Sequence, residues 1–112
     1  MAAPIVYFEV AGPDAAELQT FYSTVFQWDI NAQRAISLAS AGIRGGIRQD
    51  PSDTMFYMGV PAVNAAQTAI EAAGGTVVIR RMAVPGVVTF GLFKDPAANL
   101  CGLAEFGSYP TS

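Results

Sequence analysis

The chain has 112 residues, of which 52% are hydrophobic and only 13% are charged, and its formal net charge is −3. This length corresponds to one domain, and the small negative charge excludes the basic surface that nucleic acid-binding proteins need. Charged residues usually make up about 25% of a sequence. The apolar excess therefore predicts a large subunit interface, an apolar cavity, or both.

Cysteine content and the N-terminal residues bear on the cellular location. The chain contains one cysteine, Cys101, and no histidine. A single cysteine cannot form an intramolecular disulfide, which favours a reducing, cytoplasmic location. The N-terminal residues lack the basic segment of a signal peptide, and no apolar run reaches the 18 or so residues of a membrane span. We expect a cytoplasmic protein with no membrane partner, and Cys101 as a buried, unreactive thiol.

The first half of the chain predicts a strand, a helix and three further strands. Apolar β-branched and aromatic residues predict the first strand at residues 5–10. Asp14 and Glu17 have the spacing of a capping box at the start of a helix. An apolar stripe extends this helix to about residue 26 and comprises Leu18, Phe21, Tyr22 and Val25. The three further strands are predicted at residues 28–31, 35–39 and 43–48.

The second half of the chain predicts the same order of elements. Residues 50–54 form a polar linker with one proline. Asn64 is the predicted N-cap of a second helix, with Gln67 at the third helical position and Gly74-Gly75 at its end. The strands of this half are predicted at residues 55–60, 76–82, 87–93 and 100–105.

A repeat with an offset of fifty residues connects the two halves. Residues 6–17 align without a gap on residues 56–67, so that Tyr7 falls on Tyr57 and Asp14 on Asn64. A half-length repeat indicates one structural unit built twice, each copy too small to close a core alone. The prediction is a single α+β domain of two βαβββ modules, at residues 4–49 and 55–106, joined by the linker 50–54 and related by a pseudo-twofold.

Three stretches of the sequence resemble the vicinal oxygen chelate superfamily, which includes glyoxalase I, extradiol dioxygenases and bleomycin-resistance proteins. The resemblance lies in a first strand, an Asp-capped helix with Phe-Tyr, and a late Asp-Pro before the last strand. The stretches are PIVYFEVAGPDAAELQTFYSTVFQW, FYMGVPAVNAAQTAIEAAGGTV and FKDPAANLCGLAEF. The resemblance implies that the two modules form a half-barrel around a cleft, within a homodimer. Gln27 departs from the family, which commonly has glycine after the helix.

The resemblance also implies where metal ligands would lie. Metal enzymes of the family take ligands from the first and last strand of each module, and those positions here hold Tyr7, Gly46, Tyr57 and Gly102. Glycine has no side-chain ligand, and a neutral phenol with a pKa near 10 is a poor ligand. Ni and Zn favour His, Cys or carboxylate. We predict a member without metal or other cofactor, and without glyoxalase I or extradiol dioxygenase activity.

The alternation of side chains along strands predicts the candidate site. If Val6, Phe8 and Val10 pack on the helix, then Tyr7 and Glu9 point to the opposite face. The same alternation predicts that three further side chains line the cleft, which are Arg44, Arg48 and Tyr57. Phenols, a carboxylate and guanidinium groups together suit a polar small molecule.

Each of these residues also has a purely structural interpretation. The tyrosines Tyr7 and Tyr57 either contact a ligand or are core aromatics whose hydroxyls bind backbone groups. Glu9 is either ion-paired with Arg44 or Arg48, or a general base whose pKa is raised by burial. The two arginines are equally consistent with solvated charges at a strand edge.

These observations favour a dimeric, metal-free protein that binds a small molecule. The first alternative is a metal-independent lyase or isomerase that uses Glu9 or a tyrosine as acid or base, so that the sequence leaves enzymatic activity open. The second alternative is a drug-sequestering resistance protein, as the bleomycin-resistance resemblance implies. The sequence names no ligand, because the positions that define the ligand in this family carry side chains of little specificity.

Overall fold

A computed structural model describes residues 2–109 of the chain. Within them the element order is β1 (Ile5–Gly12), α1 (Ala15–Phe26), β2 (Ala35–Ile36), α2 (Leu38–Ala41), β3 (Arg44–Gln49), β4 (Asp53–Val60), α3 (Val63–Ala72), β5 (Thr76–Val84), β6 (Val88–Lys94) and β7 (Leu100–Glu105). None of these three helices has the length and apolarity that a membrane crossing requires. The chain divides into two compact units, residues 7–55 and residues 2–6 with 56–109.

In the unit of residues 7–55, β3 lies between β1 and β2. It pairs in parallel with β1, with Glu9 opposite Gly46, and antiparallel with β2. Ala15, Ile36 and Ile47 form the buried core, against which Phe8 and Trp28 pack. Phe8 therefore faces the helical side of the strands, as the alternation along the first strand predicts.

Helix α1 begins where the capping box predicts. The backbone N–H of Glu17 donates to the Asp14 carboxylate at 3.0 Å. The helix ends at Phe26, and its C-cap, Gln27, has a left-handed φ of 58°. The apolar stripe is only partly confirmed, because Phe21 and Val25 are 51% and 53% exposed. The Trp28 indole stacks on Tyr22 at 4.9 Å and contacts Phe8, so the core beneath the end of α1 is filled by other side chains.

The segment between α1 and β3 differs from the prediction of two strands. Residues 28–31 form only an isolated bridge, between Ile30 and Ile36, because the Asn31 side chain accepts from two backbone N–H groups, those of Gln33 and Ala35, and so closes a turn. The strand predicted at 35–39 stops after two residues, since Ser37 caps α2. The part of the chain that the structure describes therefore has seven strands, where eight were predicted.

The unit of residues 2–6 and 56–109 contains the predicted βαβββ order. Its strands lie in the order β4-β7-β6-β5, with β4 and β7 parallel and the other pairs antiparallel. The core lies between these strands and α3, and it comprises Val60, Val63, Phe93, Cys101 and Leu103. Cys101 is 6% exposed, and burial raises the pKa of its thiol, with a smaller contribution from Asp95. The expected buried thiol is confirmed.

The predicted cap of the second helix is wrong. Helix α3 has Ala62 as its N-cap, without a side-chain hydrogen bond from that residue, and the Val63 N–H instead donates to the Glu105 carboxylate at 3.1 Å. Asn64 lies inside the helix. Gln67 is 2% exposed and points into the core, so that it takes no part in capping.

The two βαβββ-like segments correspond with an offset of 48 residues, two fewer than the sequence repeat. β4 begins and ends 48 positions after β1, and α3 begins 48 positions after α1. In the register, Gly102 lies opposite Tyr57, whereas Gly46 lies opposite Glu9. The structural counterpart of Tyr57 is therefore Glu9. A shift of two residues preserves the face of a strand, so the repeat still predicts the correct side for Tyr7.

Candidate functional site

Four of the five predicted site residues lie together on β1 and β3. The parallel register places Tyr7 opposite Arg44, and Glu9 opposite Gly46, next to Arg48. Paired residues of neighbouring strands point to the same side, and successive residues to opposite sides. The four side chains therefore share the face opposite Phe8, as the sequence predicts.

Glu9 forms an ion pair with Arg48. Arg48 Nε donates to Glu9 Oε1 at 3.1 Å, and its Nη1 donates to Asp50 Oδ2 at 2.7 Å. The Glu9 side chain is only 13% exposed, whereas that of Asp50 is 51% exposed. Of the partners that the sequence left open for Glu9, the structure shows Arg48. The sequence prediction placed Asp50 in the linker and missed its contact with Arg48. The spacing of two residues between Asp50 and Arg48 was the signal that could have shown this contact.

Arg44 differs from Arg48 in its partners. The ion pairs within residues 2–109 join carboxylates to Arg48, Arg80 and Arg81. The guanidinium group of Arg44 takes part in none of them. Its Nε is buried and has no acceptor within the described part of the chain. A buried donor without an acceptor is rare in native proteins.

Tyr7 carries the perturbed phenol of this face. Burial raises its pKa to about 12, Glu9 contributes in the same direction, and the arginines Arg48 and Arg44 act against it. The phenol is therefore neutral at physiological pH and keeps its O–H as a hydrogen-bond donor.

We expect the shifted pKa of Tyr7 to make the protein less stable in alkali. Below pH 10 the phenol is protonated in both the folded and the unfolded chain, so its contribution to stability is complete. Between pH 10 and about 12 only the unfolded chain ionises, and the free energy of unfolding falls. Urea unfolding at pH 8, 10 and 11 should show a steeper loss for the wild type than for Tyr7→Phe. Parallel losses in the two proteins would contradict the shift.

Two glycines leave space for the two tyrosines. A Cβ atom built on Gly46 would meet the Tyr7 hydroxyl, and one built on Gly102 would meet the Tyr57 ring. Each tyrosine thus occupies the space that a side chain at its glycine, Gly46 on β3 or Gly102 on β7, would need. At Gly46 and Gly102, where the sequence resemblance placed metal ligands, a tyrosine of the neighbouring strand fills the space.

Tyr57, the fifth predicted site residue, lies on β4 in the other unit. It is half-buried, and its ring covers Gly102 directly opposite in the register. It shares a face with Gly59 and Ala104, away from α3. Its contact with a ligand stays a prediction.

The residues of the described chain do not provide a conventional metal centre. No group of three or more His, Cys, Asp or Glu side chains within residues 2–109 is placed to hold a metal ion. Glu9 is the nearest carboxylate to Tyr7 in the register, and it already binds Arg48. A phenol and one ion-paired carboxylate do not make the donor set that Zn or Ni prefers.

A concave region lies away from these residues, at the β5–β6 turn. This depression of about 470 Å³ is lined by residues 83–86, Thr89 and residues 107–109. It carries no charged side chain, and the Ser108 hydroxyl is bonded to the Thr89 N–H and the Glu105 carbonyl. Its lining offers less for polar recognition than the face of Tyr7 and Glu9.

The fold resembles several solved structures, although no family model and no curated protein matches the chain. A glyoxalase/bleomycin resistance protein/dioxygenase superfamily member from Vibrio splendidus 12B01 is 13% identical with a TM-score of 0.65, over 93% of this chain and 99% of that one. A hypothetical protein from Bacillus halodurans C-125 is 9% identical with a TM-score of 0.68, over the whole of both chains. Methylmalonyl-CoA epimerase from Mycobacterium tuberculosis is 11% identical with a TM-score of 0.66, over 90% of this chain and 86% of that one.

These similarities define the class of fold. The chain has the α+β fold of the glyoxalase/bleomycin resistance/dioxygenase superfamily, which confirms the predicted fold class. At these identities the likeness concerns the fold alone, so the function rests on the residues of this chain.

Proposed function

We propose that this chain is a cytoplasmic small-molecule-binding protein that needs no metal, and that its ligand contacts the face of Tyr7, Glu9, Arg44 and Arg48. The observation that carries the proposal is the half-buried cluster of a neutral phenol, an ion pair and a guanidinium group on one face of β1 and β3. Hydrogen-bonding groups held on paired strands are rigid, which suits recognition of a polar molecule.

The proposal is tested by locating the ligand on the protein. A thermal-shift screen of polar metabolites and antibiotics identifies binders, since a ligand at 100 times its Kd stabilises by about 2.7 kcal/mol. Amide chemical shifts of the labelled protein should then change at residues 7–12 and 44–49. Tyr7→Phe should weaken binding about 2- to 10-fold, the effect of one hydrogen bond.

Tyr109→Phe is the matched control, because it removes a hydroxyl from the depression at the β5–β6 turn. It should leave the affinity unchanged. Amide shifts confined to residues 83–89 and 107–109, together with loss of affinity in Tyr109→Phe, would place the ligand in the depression and contradict the proposal.

We expect protein purified without chelator to contain substoichiometric Ni, Zn, Fe and Mn. The reason is the set Tyr7, Gly46, Tyr57 and Gly102 at the family's ligand positions, with both glycine positions filled by tyrosine. Elemental analysis per mole of chain measures this directly. One tightly held metal equivalent, retained after dialysis, would contradict the metal-free proposal.

We propose that the protein is a homodimer. Its support is the low charged fraction of the sequence and three large apolar side chains on α1, Phe21, Val25 and Phe26, that are 51%, 53% and 57% exposed. Monomeric proteins rarely expose large contiguous apolar patches. Light scattering at micromolar concentration should give about twice the chain mass of 11.7 kDa. A mass equal to that of one chain would show that the protein is monomeric.

A further inference from the structure

The distribution of charge on the candidate face is uneven. Arg48 is already shared by two carboxylates, those of Glu9 and Asp50. Arg44 has no carboxylate partner among residues 2–109. The face therefore holds one guanidinium group, that of Arg44, that none of these ion pairs includes, at the position opposite Tyr7 in the register.

The Nε of Arg44 adds a second, independent observation. This atom is buried and donates to no acceptor in the described chain. Arginine stays charged at all accessible pH values and has only donors, so a protein cannot relieve such a group by losing a proton. An acceptor from outside the described residues, water or ligand, would satisfy it.

The chemistry of that acceptor follows from the guanidinium group and its neighbours. The guanidinium N–H groups form a planar fork that meets the two oxygens of a carboxylate. Glu9 and Asp50 together carry two negative charges against the single positive charge of Arg48, and this excess opposes a second negative charge on the ligand. A monoanion fits this balance better than a dianion.

We propose that Arg44 binds the carboxylate of a small organic acid, beside the Tyr7 phenol. This inference rests on the proposed function of the same face and adds to it the chemical class of the ligand. It assigns Arg44 as the residue that determines specificity, and Arg48 as the residue that holds Glu9.

The experiment compares small acids with their neutral analogues. Propionate and benzoate, propionamide and benzamide, and inorganic phosphate are titrated separately into the labelled protein, with the arginine Nε–Hε signals as the readout. The two acids should shift the Arg44 signal and the amides should not. Phosphate should bind more weakly than the acids. Phosphate bound more tightly than both acids would overturn the assignment of a carboxylate.

Two variants separate a specific site from general attraction. Arg44→Met should weaken binding of the acids about 10- to 100-fold, the effect of losing a charged hydrogen bond. Arg80→Met removes the same charge from an exposed ion pair with Glu71 and should leave the affinity unchanged. Equal weakening in the two variants would show non-specific attraction and overturn the proposal.

The stability of the ligand-free protein provides a further readout. Since the buried Nε has no acceptor, Arg44→Met should unfold at the same temperature as the wild type or a higher one. A lower unfolding temperature would show that Arg44 serves the fold and would overturn the proposal.

The failure of this inference differs from that of the proposed function. If neutral compounds bind the face of Tyr7 and Glu9 while the acids do not, the carboxylate assignment fails and the proposed function stands. If no compound of the wider screen changes the amide shifts at residues 7–12 and 44–49, both fail.

Discussion

Replacing Gln67 with leucine is expected to lower the free energy of unfolding by about 1–3 kcal/mol, although the two side chains have similar size. Gln67 is 2% exposed. Its Nε2 donates to the Ile79 carbonyl at 2.8 Å, and its Oε1 accepts from the Arg81 N–H at 3.2 Å. Leucine would leave both backbone groups without these partners.

The location of these two hydrogen bonds explains the size of the effect. The pairing of β5 with β6 shifts register on both sides of Ile79, where a bulge leaves backbone groups outside the ladder. The Gln67 side chain forms hydrogen bonds with the two backbone groups of this bulge, the Ile79 carbonyl and the Arg81 N–H, and so connects α3 to β5. Urea unfolding measures the loss of stability, and hydrogen exchange at the Arg81 amide should become faster in the variant.

Gln19→Leu is the matched control for this substitution. Gln19 lies on α1 and makes only longer bonds, of 3.5 and 3.3 Å, to the carbonyls of Ile30 and Asn31. The control should cost less than about 1 kcal/mol. Similar losses at the two positions would mean that the hydrogen bonds of Gln67 contribute little.

Replacing Gly102 with alanine is expected to lower the free energy of unfolding by about 1–3 kcal/mol, since an added methyl group overfills a packed site. The Cβ would meet the ring of Tyr57, and the position is buried within β7. A ring cannot bend away as a flexible chain end can. The expected response is a shift of Tyr57 or of the strand itself.

A double-mutant cycle identifies the cause of that loss. In a Tyr57→Ala background the ring is absent, so Gly102→Ala should cost much less, which gives a coupling energy of about 1–2 kcal/mol between contacting residues. Chemical denaturation of the four proteins measures it. Additive losses would show that alanine disturbs β7 by some route other than the tyrosine.

The local signals in the sequence predicted local structure well. Asp14 caps α1 because the cap and its donor, the Glu17 N–H, lie three residues apart. The alternation along β1 placed Tyr7 and Glu9 on one face because strand geometry is periodic. The second helix had no such signal. Its cap is supplied by Glu105, which is 42 residues away from Val63, and no spacing in one sequence shows a contact of that separation.

The repeat itself caused the wrong interpretation of Gln67. Aligned on Glu17 with an offset of fifty, it takes the third position of a capping box, whereas the structural offset of 48 places it further into α3. The Gln67 amide is buried because it binds backbone groups at the bulge in β5, and the sequence does not show that bulge. The sequence likewise named Arg44 and Arg48 as equals, because it does not show which of them reaches the carboxylates of Glu9 and Asp50.

The difference of two residues between the sequence repeat and the structural repeat has a consequence for how duplicated modules diverge. Sliding a strand by an even number of residues keeps every apolar side chain inside but presents a new residue to the same neighbour. Opposite the corresponding glycines, one module here has a carboxylate, Glu9, and the other has a phenol, Tyr57. A duplicated fold can in this way exchange one functional group for another while its hydrophobic pattern stays intact, so chemical asymmetry between the halves needs no new architecture.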